Sequence, residues 1–279
     1  MEPGKPARER FAETVARGEE ELNLAEAALL IAKEEYPDLD DRPYLERLDR
    51  MAEEVGDRHV GAEGPDSRLE ALNRYLFDSL GFRGNTDDYY DPRNSFLNEV
   101  LDRRTGIPIT ISVVYLEVGW RLGMPLRGVG FPGHFLVKYT DPDGEIVIDP
   151  FSRGAILSLD DCQGRLDQVY GGRVQFQSGF LAGVTRRQIL LRILTNLKGI
   201  YLAGKDHRRA LAAVERILIV DPSLAPEIRD RGILRMQLQQ TGAAIADLER
   251  YLTVNPKTDD TEEVRRRLRD WRQAQASLN

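Results

Sequence analysis

Pro108-Ile-Thr-Ile-Ser-Val-Val-Tyr-Leu-Glu-Val-Gly-Trp-Arg-Leu122 decides the fold. It is apolar almost all round, the pattern of a helix buried at the centre of a domain. Pro108 suits the first helical position, where its missing N–H costs little. Gly123 and Pro125 close the segment. Upstream, the chain to about residue 82 has helical character. Leu22, Ala25, Leu29 and Leu30 recur at helical spacing ahead of a break at Tyr36-Pro37. Tyr44, Leu45 and Leu48 start a short helix after Pro43, and Leu69, Leu72, Tyr75, Leu76 and Leu80 form a third apolar stripe. A polar loop rich in Gly, Asn and Asp runs from Gly81 to Asn94.

Downstream the period changes. Arg127–Phe131, His134–Tyr139 and Glu145–Ile148 have strand character, and Asp141-Pro-Asp-Gly144 is a turn signal between the last two. Helices followed by a small antiparallel sheet make an α+β domain. The rest of the chain repeats itself. Ala210-Leu-Ala-Ala-Val-Glu-Arg-Ile-Leu-Ile-Val-Asp-Pro222 returns as Ala244-Ile-Ala-Asp-Leu-Glu-Arg-Tyr-Leu-Thr-Val-Asn-Pro256. The offset of about 34 residues is the tetratricopeptide period. Small residues fall at Ala210 and Ala244, large ones at Val214 and Leu248, and closing prolines at Pro222 and Pro256. Leu194, Leu197 and Tyr201 fit the first helix of the first repeat. In the second repeat Ile228 and Gly232 fit, whereas Arg231 and Arg235 do not. Glu262–Leu278 is expected as a polar capping helix. The expected organisation is an α+β domain over 1–182, its core at about 94–151, and an all-α tetratricopeptide-like domain over 183–279.

Composition narrows the function. The 279 residues carry a formal net charge of −7, which gives no general electrostatic reason to bind nucleic acid, and no helix-turn-helix pattern is present. No apolar run reaches the roughly 18–20 residues needed to cross a bilayer. The charged N-terminus does not read as a signal peptide, and the single cysteine, Cys162, permits no internal disulfide. A cytoplasmic protein that binds neither nucleic acid nor membrane is the expectation. His59, His134 and His207 lack metal-ligand spacing and there is no cysteine pair, so neither a metal nor another cofactor is expected.

His134 and Asp149 are the residues that could carry chemistry. A His leaving one strand and an Asp ending a nearby one can serve as base and orienter of a nucleophilic triad. Asn98-Glu-Val-Leu-Asp-Arg-Arg-Thr-Gly-Ile-Pro108, Tyr115-Leu-Glu, Arg121-Leu-Gly-Met-Pro125, Gly130-Phe-Pro-Gly-His-Phe135 and Ile148-Asp-Pro-Phe151 together resemble the transglutaminase-like domain of SirB-type bacterial proteins. In that family the domain precedes tetratricopeptide repeats. The resemblance implies a papain/transglutaminase-like arrangement, with a Cys at the start of the buried helix and a His and an Asp on adjacent strands. Counted along the helix, the Cys position falls on Pro108, which has no nucleophilic atom.

Ser112, four residues on, shares the helix face but lies about 6 Å further along the axis. Its alternative reading is a small buried residue bonded back to a carbonyl. Thr110 points roughly 200° away from position 108. Cys162 sits among acidic neighbours that disfavour a thiolate. Asn94, Asn98, Glu99, Arg103 and Arg104 are candidates for the cleft rim, with helix and loop capping as their alternative role. The leading expectation is a non-catalytic transglutaminase-like protein joined to a protein-interaction module, a bacterial partner-binding or regulatory protein. Its protein or peptide partner is expected on the repeats and the adjoining groove. The alternative is a peptide or amide hydrolase or acyltransferase that uses His134, Asp149 and a non-Cys nucleophile.

Overall fold

The computed structural model describes residues 6–58, 64–255 and 259–276. The chain divides into two compact units, Met1–Ile193 and Leu194–Asn279.

The first unit opens with helices α1 (Ala7–Ala16), α2 (Leu24–Ala32), α3 (Arg42–Arg58) and α4 (Pro65–Asn73). The helix starting near Pro43 is not short: α3 runs for 17 residues. The third stripe bends partway. A π-helical turn at Arg74–Ser79 follows α4 and donates Leu80 N to Tyr75 O. The wider turn rotates the face, so Phe77 is buried and Leu80 is only half-buried.

Next come β1 (Arg83–Gly84), α5 (Leu97–Arg103), β2 (Thr105–Gly106) and α6 (Pro108–Arg121). Strands β1 and β2 pair in parallel over two residues. Helix α6 is the expected buried helix, with Pro108–Gly119 all buried. Glu117, inside the Tyr115-Leu-Glu match, is 4% exposed and accepts from Ala25 N at 2.9 Å. It thus satisfies a backbone N–H at the start of α2, where Asn23 Oδ1 accepts from Glu26 N. Burial pushes the Glu117 carboxyl above its usual range, opposed chiefly by Arg121.

The sheet comprises β3 (Leu126–Val129), β4 (Leu136–Asp141), β5 (Gly144–Asp149), β6 (Ala155–Leu157) and β7 (Gly183–Val184). Their order is β6-β5-β4-β3-β7, with every pair antiparallel. The turn signal holds: Asp141 pairs with Gly144, and its side chain accepts from the N–H groups of Asp143 and Gly144. His134 lies two residues before β4 rather than on it, in a turn that bonds His134 N to Phe131 O at 3.0 Å. Helix α7 (Leu159–Tyr170) follows β6 and is capped reciprocally by Ser158 and Asp161. Cys162 on α7 is fully buried with Val129, Phe131, Leu136, Val147 and Leu166. Burial, above all, raises its thiol pKa.

Helix α8 (Arg186–Ala203) carries the chain into the second unit, which contains α9 (His207–Val220), α10 (Ala225–Gln237), α11 (Thr241–Val254) and α12 (Thr261–Ala276). Ala210, Ala244, Val214 and Leu248 are all fully buried, as the 34-residue echo requires. Pro256 lies outside the described residues. Arg231 and Arg235, which break the apolar pattern, form ion pairs with the buried Asp247.

Candidate functional site

Helix α6 packs against β3, β4 and the short 3-10 turn Pro150–Ser152. The elements bearing Pro108, His134 and Asp149 therefore share one corner of the first unit. His134 Nε2 lies 3.1 Å from Asp149 Oδ1, with the His134 side chain 12% exposed and Asp149 fully buried. The ring stands edge-on to Phe151, 5.8 Å between centres. Phe151 in turn covers Gly84, where a Cβ would come within 2.3 Å of the Phe151 ring. Any side chain at that point of β1 would displace the aromatic wall of the His134 site.

Asp149 is the hub. Besides His134, its Oδ1 accepts from Phe151 N at 3.0 Å and Ser152 N at 3.3 Å. Its Oδ2 accepts from Ser152 Oγ at 2.9 Å and pairs with Arg165 Nη2 at 2.5 Å. Arg165 also donates to Ser152 Oγ at 3.0 Å. Burial alone would raise the Asp149 carboxyl. His134, Arg165 and Ser152 together outweigh it and hold the group below the usual carboxylate range.

With Nε2–H turned to Asp149, Nδ1 is the ring nitrogen left to act as a base. Arg165 pairs with the same carboxylate. Arg165 and Ser152 were not read from the sequence. The signals exist: Asp149-Pro-Phe-Ser152 is an Asp-capped turn, and Ser158-Leu-Asp-Asp161 announces the helix that bears Arg165.

The nucleophile side is different. Pro108 is the buried first residue of α6. Ser112 is fully buried, and its Oγ has no hydrogen-bond partner, neither His134 nor the backbone carbonyl its packing role would suggest. Thr110 is buried and structural: its Oγ1 donates to Asn94 O at 2.6 Å and accepts from Ile107 N at 3.1 Å. Among the described residues no group of three or more His, Cys, Asp or Glu could hold a metal ion.

The five rim candidates divide by role. Asn94 is fully buried and ties the preceding loop, donating to Asp88 O at 2.7 Å and accepting from Asn85 Nδ2 at 3.0 Å. Glu99 accepts from Tyr36, whose phenol is pushed up to about 12, first by burial and then by that bond. Arg103 pairs with Asp91 at 3.5 Å. Arg104, with a left-handed φ of 54°, donates to Leu80 O at 2.7 Å. Asn98 is buried with its Oδ1 unpartnered. Four of the five thus brace loops or helices.

Residues 42–195 match the transglutaminase-like superfamily, and residues 197–269 match the tetratricopeptide repeat. A UPF0162 protein of Xylella fastidiosa is 41% identical over 262 residues, covering 90% of this chain and 91% of that protein. The chain belongs to the UPF0162 family, within the transglutaminase-like superfamily. A UPF0162 protein of Vibrio cholerae is 32% identical over 83% of this chain and 86% of its own length. Human F-box only protein 21 is 36% identical over 137 residues, 46% of this chain but 21% of that protein. The domain pair expected from the sequence, a transglutaminase-like α+β domain followed by tetratricopeptide repeats, is thereby shown. No helix among the described residues is long and apolar enough to cross a membrane.

Proposed function

We propose that this protein is a non-catalytic, SirB-type member of its superfamily that binds a protein or peptide partner through its repeats. The transglutaminase-like domain is taken as 1–182 and the repeats as 183–279. The observation that carries the reading is the missing nucleophile: Pro108 stands at the helix start, and the nearest hydroxyl on that face, Ser112, is sealed in the core. A buried hydroxyl without a hydrogen bond to a base is not activated. His134 and Asp149 then act as a structural pair. The Asp149 carboxylate satisfies two backbone N–H groups, a hydroxyl and two cationic or polar side chains at the end of β5. Tetratricopeptide arrays stack helices into surfaces that receive peptides or partner helices, which supports the binding role.

Fluorophosphonate labelling and hydrolysis of a panel of peptide amides and esters test the reading. The expected result is no adduct and no turnover above the uncatalysed rate, with Ser112→Ala as stable as the parent. Labelling at Ser112 that disappears in both Ser112→Ala and His134→Ala would overturn it in favour of a hydrolase.

A further inference from the structure

Strand β7 covers only half of β3. It pairs with Gly128 and Val129, while the other two residues of β3, Leu126 and Arg127, border a cavity of about 190 Å³ within the first unit. Trp120 of α6, Arg186 of α8, and Glu19 and Glu20 line the same cavity. Trp120 closes the uncovered end of β3, its Nε1 donating to Leu126 O at 2.8 Å.

Arg186 is fixed in that wall but not neutralised. Its Nη1 donates to the carbonyls of Glu19 at 2.9 Å, Glu20 at 2.7 Å and Leu22 at 3.1 Å, and its guanidinium carbon lies 4.7 Å from the Trp120 ring centre. All three bonds use Nη1. The opposite fork, Nε with Nη2, meets no protein acceptor among the described residues. The Glu19 carboxylate is spent elsewhere: it accepts from the Arg186 backbone N–H and pairs with Arg187 at 3.3 Å. Arg127 is exposed, and its stem lies over Gly183, where a Cβ would come within 3.2 Å of Arg127 Cδ. Its guanidinium has no ion pair among the described residues.

We propose that this cavity binds a small monocarboxylate bearing an apolar group, with the Nε–Nη2 fork of Arg186 as its clasp and Arg127 as a second cation. A carboxylate takes two parallel N–H···O bonds from one such fork. Three carbonyls and an indole face already hold the guanidinium plane, so little side-chain freedom is lost on binding. Trp120, Leu126 and Val184 give the cavity an apolar side. Its volume is below that of sites for drug-sized ligands, which suits a small acid. A phosphate dianion would bring twice the charge against Glu19 and Glu20 on the same wall. The site lies within the first unit and does not depend on binding by the repeats.

The test uses the full chain carrying Trp271→Phe, which leaves Trp120 as its one indole. NMR follows the Trp120 Nε1–H and Arg186 Nε–H resonances. The probes are N-acetyl-leucine, its amide and inorganic phosphate. The acid is expected to shift both resonances saturably and to bind about tenfold more tightly than the amide. Arg186→Gln should abolish that preference, and Arg186→Lys, which keeps the charge without the fork, should retain part of it.

Because Arg186 also braces three carbonyls, Arg127→Gln serves as a second variant, at an exposed side chain. It should weaken the acid about threefold, leaving the amide affinity and the thermal melt unchanged. Resonances that do not move with the acid, equal binding of acid and amide, a preference that survives Arg186→Gln, or phosphate binding as tightly as the acid would each overturn the site. An unchanged acid affinity in Arg127→Gln would remove Arg127 from it.

Discussion

Two buried aspartates, one in each compact unit, solve the same problem with different partners. Asp149 is fully buried and Asp247 is 4% exposed. Asp149 is satisfied by two backbone N–H groups, a serine hydroxyl, one arginine and a histidine. Asp247 takes Arg231 through two bonds, at 2.9 and 2.6 Å, and Arg235 at 2.8 Å, while Arg235 also reaches Glu215 at 3.1 Å. Every partner of Asp247 named here is a permanently charged guanidinium, which makes that cluster a clamp between α10 and α11. The Asp149 cluster contains a titratable ring with a partly open face. The same carboxylate thus meets only guanidiniums in one unit, and backbone N–H groups, a hydroxyl, a guanidinium and an imidazole in the other.

Removing each carboxylate is the strongest way to break the comparison. Asp149→Ala strands Arg165, His134 and two N–H groups, and should cost about 3–5 kcal/mol in urea unfolding. Asp247→Ala strands two guanidiniums but leaves Glu215 for Arg235, so its cost should sit at the lower end, about 3 kcal/mol. A loss below about 1 kcal/mol for Asp149→Ala would mean that the cluster is solvated and not a structural hub.

Acid titration tests the Asp149 cluster by a smaller effect. The Asp149 carboxyl is held below its unfolded value. Its stabilisation is fully present above the unfolded pKa of about 4 and is lost as pH falls through the folded one. The stability gap between the parent and Asp149→Asn should therefore be flat from pH 5 upward and close steadily below about pH 4. A gap that persists unchanged into strong acid would show that the hydrogen bonds, and not the charge, carry the stabilisation.

What the sequence made legible follows from periodicity. The apolar run after Pro108 and the 34-residue echo are local patterns, and both became buried helices where expected. The two-residue strands β1, β2 and β7 have no period to read. The π turn after α4 is invisible because each residue in it suits an α-helix equally well. At the site, His134 and Asp149 were legible as residue types at strand ends. Arg165, 16 positions after Asp149, was not, because nothing local links a half-buried arginine on α7 to a carboxylate on β5. Arg231 and Arg235 were visible only as misfits to a repeat. Their meaning lies in Asp247, a buried position of α11 that the repeat pattern does not link to them.

Gly232 sharpens the comparison most finely, because it lies between those two arginines. A Cβ there would come 2.8 Å from Leu248 Cδ2 and 3.2 Å from Ala244 O, so α10 and α11 touch closely beside the clamp. Gly232→Ala gains about 1 kcal/mol of helix propensity and meets about 1–3 kcal/mol of overpacking. The net should be a loss of about 1 kcal/mol in urea unfolding. If the ion clamp sets the helix spacing, the same substitution in an Asp247→Ala background should cost less, because the helices are then free to separate. Additive losses would place the spacing in the apolar contact alone, with the clamp merely filling the gap beside it.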